Sequence, residues 1–223
     1  MKIYTGQGAG KKFEEIKNRD LGVCISSTPN VAPHKELKKV DCFLDNGAFS
    51  CHLKGYPFQE DVFLKTITKA YKLGIKLDFI VCPDLLMRGK DSLQYSMEWA
   101  GRRGKLRTSN NLALVVQDGI LPGELNKWGL SSFTHIFIGG SVEWKWETAE
   151  MWREVTTKIG KKLHIGQCGR LNYLKRAYEL GADSVDSTSF CRNERWDIVD
   201  DFRIWEEGYI GNLTTKTKNL KVK

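Results

Sequence analysis

A chain of 223 residues is near the low end for one barrel-sized domain, yet long enough to bury a sizeable core. Its hydrophobic share of 41% excludes disorder as the default, and 35 Lys+Arg against 27 Asp+Glu leave a net charge of +8. That excess is compatible with a polyanionic partner, nucleic acid above all, and equally with a merely soluble basic protein.

Two strand-like runs open the chain, Lys2–Thr5 and Gly22–Ser26. The third, Asp41–Leu44, ends in Asp45-Asn46-Gly47-Ala48-Phe49-Ser50. Phe63, Ile67, Ala70 and Tyr71 then share a helical face that Gly74 can end. Phe79–Val81 runs into Cys82-Pro83-Asp84. After the cap signal Asp91-Ser92, a second stripe comprises Leu93, Met97 and Ala100, followed by the cationic cluster Arg102, Arg103, Lys105 and Arg107. Leu112–Val116 ends in Gln117-Asp118-Gly119, and His135–Ile138 in Gly139-Gly140-Ser141. Trp152, Val155 and Ile159 precede Gly160, and Leu163–Ile165 ends in Gly166-Gln167-Cys168-Gly169. Leu171, Leu174 and Tyr178 precede Gly181, and Ser184–Val185 ends in Asp186-Ser187-Thr188-Ser189. Residues 214–223 alternate lysines with small polar residues and read as a basic tail on a domain spanning 1–213.

Eight apolar runs alternating with helical stripes predict a compact α/β fold, a single-domain (β/α)₈ TIM barrel. Polar motifs at successive strand ends would converge on one mouth, and three of them carry an aspartate: Asp45, Asp84 and Asp186. A strand-end Asp can also cap the following helix. Two mouth carboxylates allow nucleophilic plus general acid/base work, the division of labour used at glycosidic carbons. Gln117 can bind a polar planar group or bond to its own loop. Gly139-Gly140 lets backbone approach a ligand, and Phe49 can stack on a ring or pack in the core.

No apolar run approaches a membrane span, and the first residues lack a signal-peptide pattern, so a cytoplasmic protein is expected, with no membrane partner. Cys24, Cys42, Cys51, Cys82, Cys168 and Cys191 fit that compartment as free thiols. None forms a C-x-x-C pair and the four histidines do not cluster, so no metal and no cofactor is expected. His135 and His164 read as packed or hydrogen-bonded.

In order, the motifs resemble the tRNA-guanine transglycosylase superfamily, most of all the short DNA-guanine transglycosylases (7-deazaguanine DNA modification) of phages and bacterial genomic islands. The family's Asp-Ser-Gly-Gly-Phe/Tyr-Gln is matched by Asp45 to Ser50, Val-Gln-Gly-Gly by Val116 to Gly119, and Ile-Gly-Gly-Leu/Ser by Ile138 to Ser141. A Gly-rich turn before a helix is matched by Gly166 to Gly169, and Gly-x-Asp-x-x-Asp by Gly181 to Asp186. The resemblance implies an enzyme, a base-exchange glycosyltransferase replacing guanine in DNA with a 7-deazaguanine derivative through a covalent Asp-glycosyl intermediate. It implies Asp186 as nucleophile and Asp45 as general acid/base. Asp84 and Gln117 would read the purine edge, and the Gly140 N–H, with Gly139 and Gly166 beside it, would meet the base. Phe49 and Ile165 would sandwich the base. The partners implied are DNA, contacted through Arg102, Arg103, Lys105 and Arg107, and a free 7-deazaguanine base. A phage-encoded chain would act in the host cytoplasm.

The sequence departs from the family pattern as well. Asp-Asn-Gly-Ala-x-Ser replaces Asp-Ser-Gly-Gly-x-Gln, Asp118 follows Gln117, and Ser187-Thr188-Ser189 stands where the family has Pro-Thr-Arg. The zinc-binding cysteine cluster of the tRNA enzymes has no counterpart after Asp186, so no zinc subdomain is expected and DNA is favoured over tRNA. Two other readings stand beside this one: a phosphate-binding barrel of small-molecule metabolism, and a catalytically inactive nucleic-acid-binding barrel.

Overall fold

Eight short strands form the frame: β1 Lys2–Gly6, β2 Gly22–Ser26, β3 Cys42–Asp45, β4 Leu77–Val81, β5 Leu112–Val116, β6 Phe133–Ile138, β7 Lys162–Ile165 and β8 Ser184–Ser187. The computed structural model describes residues 1–102, 111–125 and 130–220, with backbone alone for 212–220. Each strand pairs in parallel with the next, and β8 returns to β1, closing a barrel. The chain is thus a single-domain (β/α)₈ barrel. The helices described around it are α1 Lys11–Asn18, α2 Ala48–Leu53, α3 Glu60–Lys72, α4 Lys90–Gly101, α5 Pro122–Leu125, α6 Val142–Lys158, α7 Leu171–Glu179, α8 Ser189–Arg192 and α9 Trp196–Leu220. Among the described residues, no helix is long and apolar enough to cross a membrane.

Successive strand residues face opposite sides, and the two sides form two cores. Ile3, Val23, Leu44, Ile80, Leu114, Ile136, Ile165 and Val185 face the helices. Tyr4, Cys24, Phe43, Phe79, Val81, Ala113 and Val115 fill the barrel, with Phe137 packed against them. Burial on both faces explains why the strands read as near-continuous apolar runs. The pairing of β3 with β4 jumps from Cys42↔Leu77 to Leu44↔Ile80, one extra residue on β4. This bulge lets Leu77 and Ile80 both face outward and Phe79 inward. Asp78 closes the amino-terminal end. Its Oδ2 accepts from Lys2 Nζ at 3.1 Å and from the Tyr4 hydroxyl at 2.6 Å, while Asp41 lies 2.6 Å from the same ammonium. Burial and then Asp78 hold the Tyr4 hydroxyl far above its usual pKa, so it stays a donor.

The strands coincide with the eight expected runs, but their ends differ. β8 continues through Ser187, so Asp186 lies inside the strand opposite Tyr4. The stripe of α3 buries Phe63, Ile67 and Ala70, whereas Tyr71 stays exposed. Gly89, not Asp91-Ser92, stands at the start of α4, and Ser92 is buried. α9 continues through 214–220, and residues 221–223 lie outside the described residues. An aromatic seam fastens α9 to α7: the Tyr178 ring lies 5.7 Å from Trp205 and 5.9 Å from Phe202.

Candidate functional site

The strands' inward alternation builds the mouth in layers. Its floor is a raft of rings: Phe43 stacks on Phe79 at 4.7 Å, Tyr4 meets Phe43 edge-on at 4.9 Å, and Phe137 lies 4.6 Å from the His164 ring. Tyr4, Phe43, Phe79 and His164 are buried, while Phe137 keeps partial exposure. Two residues further along each strand, the inward positions are Gly6, Ser26, Asp45, Val81, Gln117, Gly139, Gly166 and Asp186. Four of these are small: Gly6, Ser26, Gly139 and Gly166. At Gly166 the requirement is steric, because an added Cβ would come within 2.8 Å of the Phe137 ring.

Asp186 is held from below. Its Oδ1 lies 3.0 Å from Nε2 of the fully buried His164, whose Nδ1 lies 2.8 Å from the Ser184 hydroxyl. With Asp186 as acceptor, Nε2 carries a proton, and the bonds on both ring nitrogens fix the orientation of the imidazole. Around the barrel, β1 and β2 separate Asp186 from Asp45, the last residue of β3. Burial pushes the Asp45 carboxyl up to about 7; the Gly47 N–H, 2.9 Å from its Oδ2, opposes this, and the charges of Asp186 and Asp84 add to it. The bond to Gly47 is the local turn that strand-end aspartates tend to make.

Asp84 is buried between two side-chain amides. Asn46 Nδ2 donates to its Oδ1 at 2.8 Å, and Gln117 Nε2 to its Oδ2 at 3.3 Å. Burial raises its pKa to about 6 against those two bonds. Asn46 also donates to the Cys82 carbonyl and accepts from Ala48 N–H, tying the β3 and β4 loops together. Gln117, 1% exposed, donates to Ser92 Oγ at 2.6 Å and Leu85 O at 2.9 Å, and accepts from Met87 N–H at 2.8 Å. Its amide braces the segment from Asp84 to Ser92, so its side-chain partners lie in the neighbouring β4 loop and not in its own.

The expected apolar sandwich is not assembled. Ile165 follows inward-facing His164, so strand alternation turns it outward into the helix-facing core. Phe49 lies on α2 and is 47% exposed. The ring that does face the mouth is Phe137, two residues before Gly139. Gly140 has φ +75°, and an added Cβ would lie 2.3 Å from Asp118 Oδ2. Asp118 accepts from the Ser141 N–H at 2.8 Å and its hydroxyl at 2.6 Å, while Ser141 in turn caps α6. Burial would raise the pKa of Asp118, but the bonds from Ser141 outweigh it and lower it. Gly139 N–H continues the ladder to Val116 O at 2.9 Å. Arg102 is exposed, with its guanidinium 5.4 Å over Trp99. Arg103, Lys105 and Arg107 lie outside the described residues.

Lys145 was not among the expected site residues. It is 2% exposed and donates to the Gly166 carbonyl at the end of β7. Burial lowers its pKa, and Cys168, Asp186 and Asp118 pull it back up. The signal was its place on the buried stripe of α6 with Ala149, Trp152 and Thr156, where a lysine is out of character. Fold and site together define a (β/α)₈ barrel whose mouth holds two inward aspartates, Asp45 and Asp186, over an aromatic floor, with Asp84 buried in the adjoining β4 loop. No family model and no curated protein matches the chain.

Proposed function

We propose that this chain is a base-exchange glycosyltransferase that replaces guanine in DNA with a 7-deazaguanine derivative. The observation that carries the reading is the contrast between two mouth carboxylates: Asp45 is pushed to about 7 by burial, and Asp186 is oriented by a buried histidine. In this reaction an Asp186 oxygen attacks C1′ of the nucleotide as the C1′–N9 bond breaks. The bonding electron pair leaves on N9, which takes a proton from Asp45. The incoming base returns a proton to Asp45 as its nitrogen attacks C1′ and displaces Asp186. A group titrating near neutrality suits both transfers. The covalent ester preserves the sugar's activation while guanine departs.

A planar base at the mouth would meet the partly exposed Phe137 as an apolar face. A stacked nucleotide cannot place C1′ against Asp186 in a mouth walled by loops, so the target base leaves the stack first. The test is incubation of the protein with DNA and a labelled 7-deazaguanine, followed by digestion to nucleosides and mass spectrometry. Labelled nucleoside with matching release of free guanine is expected. No label and no guanine release, from DNA or RNA, would reject the reading.

A further inference from the structure

Among the described residues, the large apolar side chains left in solvent are not scattered. Phe49 (47% exposed), Leu53 (68%), Tyr56 (58%), Met87 (58%), Leu121 (60%) and Val142 (38%) all follow the carboxyl ends of β3, β4, β5 and β6. Tyr71, Ile204 and Ile210 are the others, on α3 and α9.

The loops that carry the six are joined side by side. Asn46 bonds the β3 loop to Cys82 and Asp84, Gln117 bonds β5 to Met87, and Asp118 bonds the β5 loop to Ser141. The four loops that bear these apolar residues therefore follow one another as one arc along half of the mouth. Met87 is held at φ +58°, a strained conformation for a side-chain-bearing residue, by the bond from its N–H to buried Gln117. That brace keeps a methionine in water beside the opening. Phe49 and Leu53 lie four residues apart on one face of α2, which begins three residues after Asp45.

Cations punctuate this arc. Residues 52–57 are continuously exposed and read His-Leu-Lys-Gly-Tyr-Pro, and Arg88 follows Met87. The side chains of Lys54 and Arg88 have no ion-pair partner among the described residues. Aromatic and apolar faces interleaved with unpaired cations are what successive bases and their phosphates require together.

We infer that this arc is a stacking rim for the unpaired bases on either side of the reacting nucleotide in a single strand. It rests on the nucleic-acid reading above. Leu53, Tyr56 and Met87 cover the base faces, and Lys54 and Arg88 meet the phosphates between them.

The test uses the full chain and a short single-stranded oligodeoxynucleotide with one guanine. A second oligonucleotide has abasic sites flanking that guanine. Binding is measured over a range of salt. The triple variant Leu53→Ser, Tyr56→Ser, Met87→Ser should bind the first strand about tenfold or more weakly. Its salt slope should be unchanged, because no phosphate contact is lost. Flanking abasic sites should weaken the wild type by a similar factor and leave the triple variant unaffected. Arg88→Gln should lower the salt slope instead, and Tyr56→Phe should keep wild-type affinity. Thermal melting verifies that each variant is folded. Equal binding of intact and abasic strands by the wild type, or wild-type affinity in the triple variant, overturns the rim and leaves the base-exchange reading standing. A change of oligomeric state in the triple variant without loss of affinity overturns it in favour of a protein interface. A wild type that binds no single strand at all overturns the nucleic-acid reading and the rim with it.

Discussion

At Asp45, a titration near neutrality has a consequence for stability that can be measured without substrate. An unfolded Asp titrates near 3.9, whereas this one titrates at about 7, so across that interval the folded state keeps the extra proton. Its contribution is fully present at low pH and is lost as pH rises to about 7; Asp84 acts with the same sign up to about 6. Asp45→Asn should therefore melt higher than the wild type at pH 8, with the difference vanishing towards pH 4 in paired thermal scans. A larger gain on the acid side would contradict the raised carboxyl. Asp186→Asn keeps shape and removes the nucleophilic charge, so exchange should fall on the order of 10³-fold or more while the melting temperature stays close to wild type. His164→Asn leaves Asp186 in place without its Nε2 donor. The rate of the chemical step should drop on the order of 10²-fold while the Kd for DNA holds, which separates a positioning residue from a binding one.

Among the elements, the β4 loop depends most on a single side chain. Gln117→Met fills the space but strands Leu85 O and Met87 N–H and removes one of the two donors to Ser92 Oγ. Urea unfolding should show a loss of about 2–4 kcal/mol. A variant as stable as the wild type, weakened only for the base, would restore the reading-edge role. The strands were legible because burial on both faces writes each as an apolar run, and strand alternation then fixes which residues face the mouth. That rule puts Ile165 outward and Phe137 inward; applied along each strand, it would have corrected the sandwich. The partner of His164 was not legible, since the pairing spans β7 and β8 and depends on barrel register. Nor was α1, whose buried face is only Phe13 and Ile16 in an otherwise charged segment. Gln117 was visible as a strand-end amide, but its partners lie in a loop whose conformation, with Met87 at φ +58°, no local pattern announces.

Over the whole molecule the net charge of +8 would set how the proposed DNA substrate is held. Binding of single-stranded DNA should weaken linearly in log–log with salt, at a slope of roughly −0.7 per phosphate neutralised; a flat titration would deny the charge any part in binding. The barrel has two ends, and they are not equivalent. Lys2, Asp41, Asp78 and the Tyr4 hydroxyl stopper the lower one, and the packed rings above them leave no passage through the axis. Whatever reaches Asp186 must therefore enter and leave by one doorway. In the proposed base exchange, departing guanine and the arriving base would share that doorway, so the two half-reactions would run in turn. Initial-rate plots against DNA at several concentrations of the incoming base should give parallel lines, and added guanine should compete with that base. Intersecting lines would mean that both bases are bound at once, for which a blind-ended barrel has no second berth.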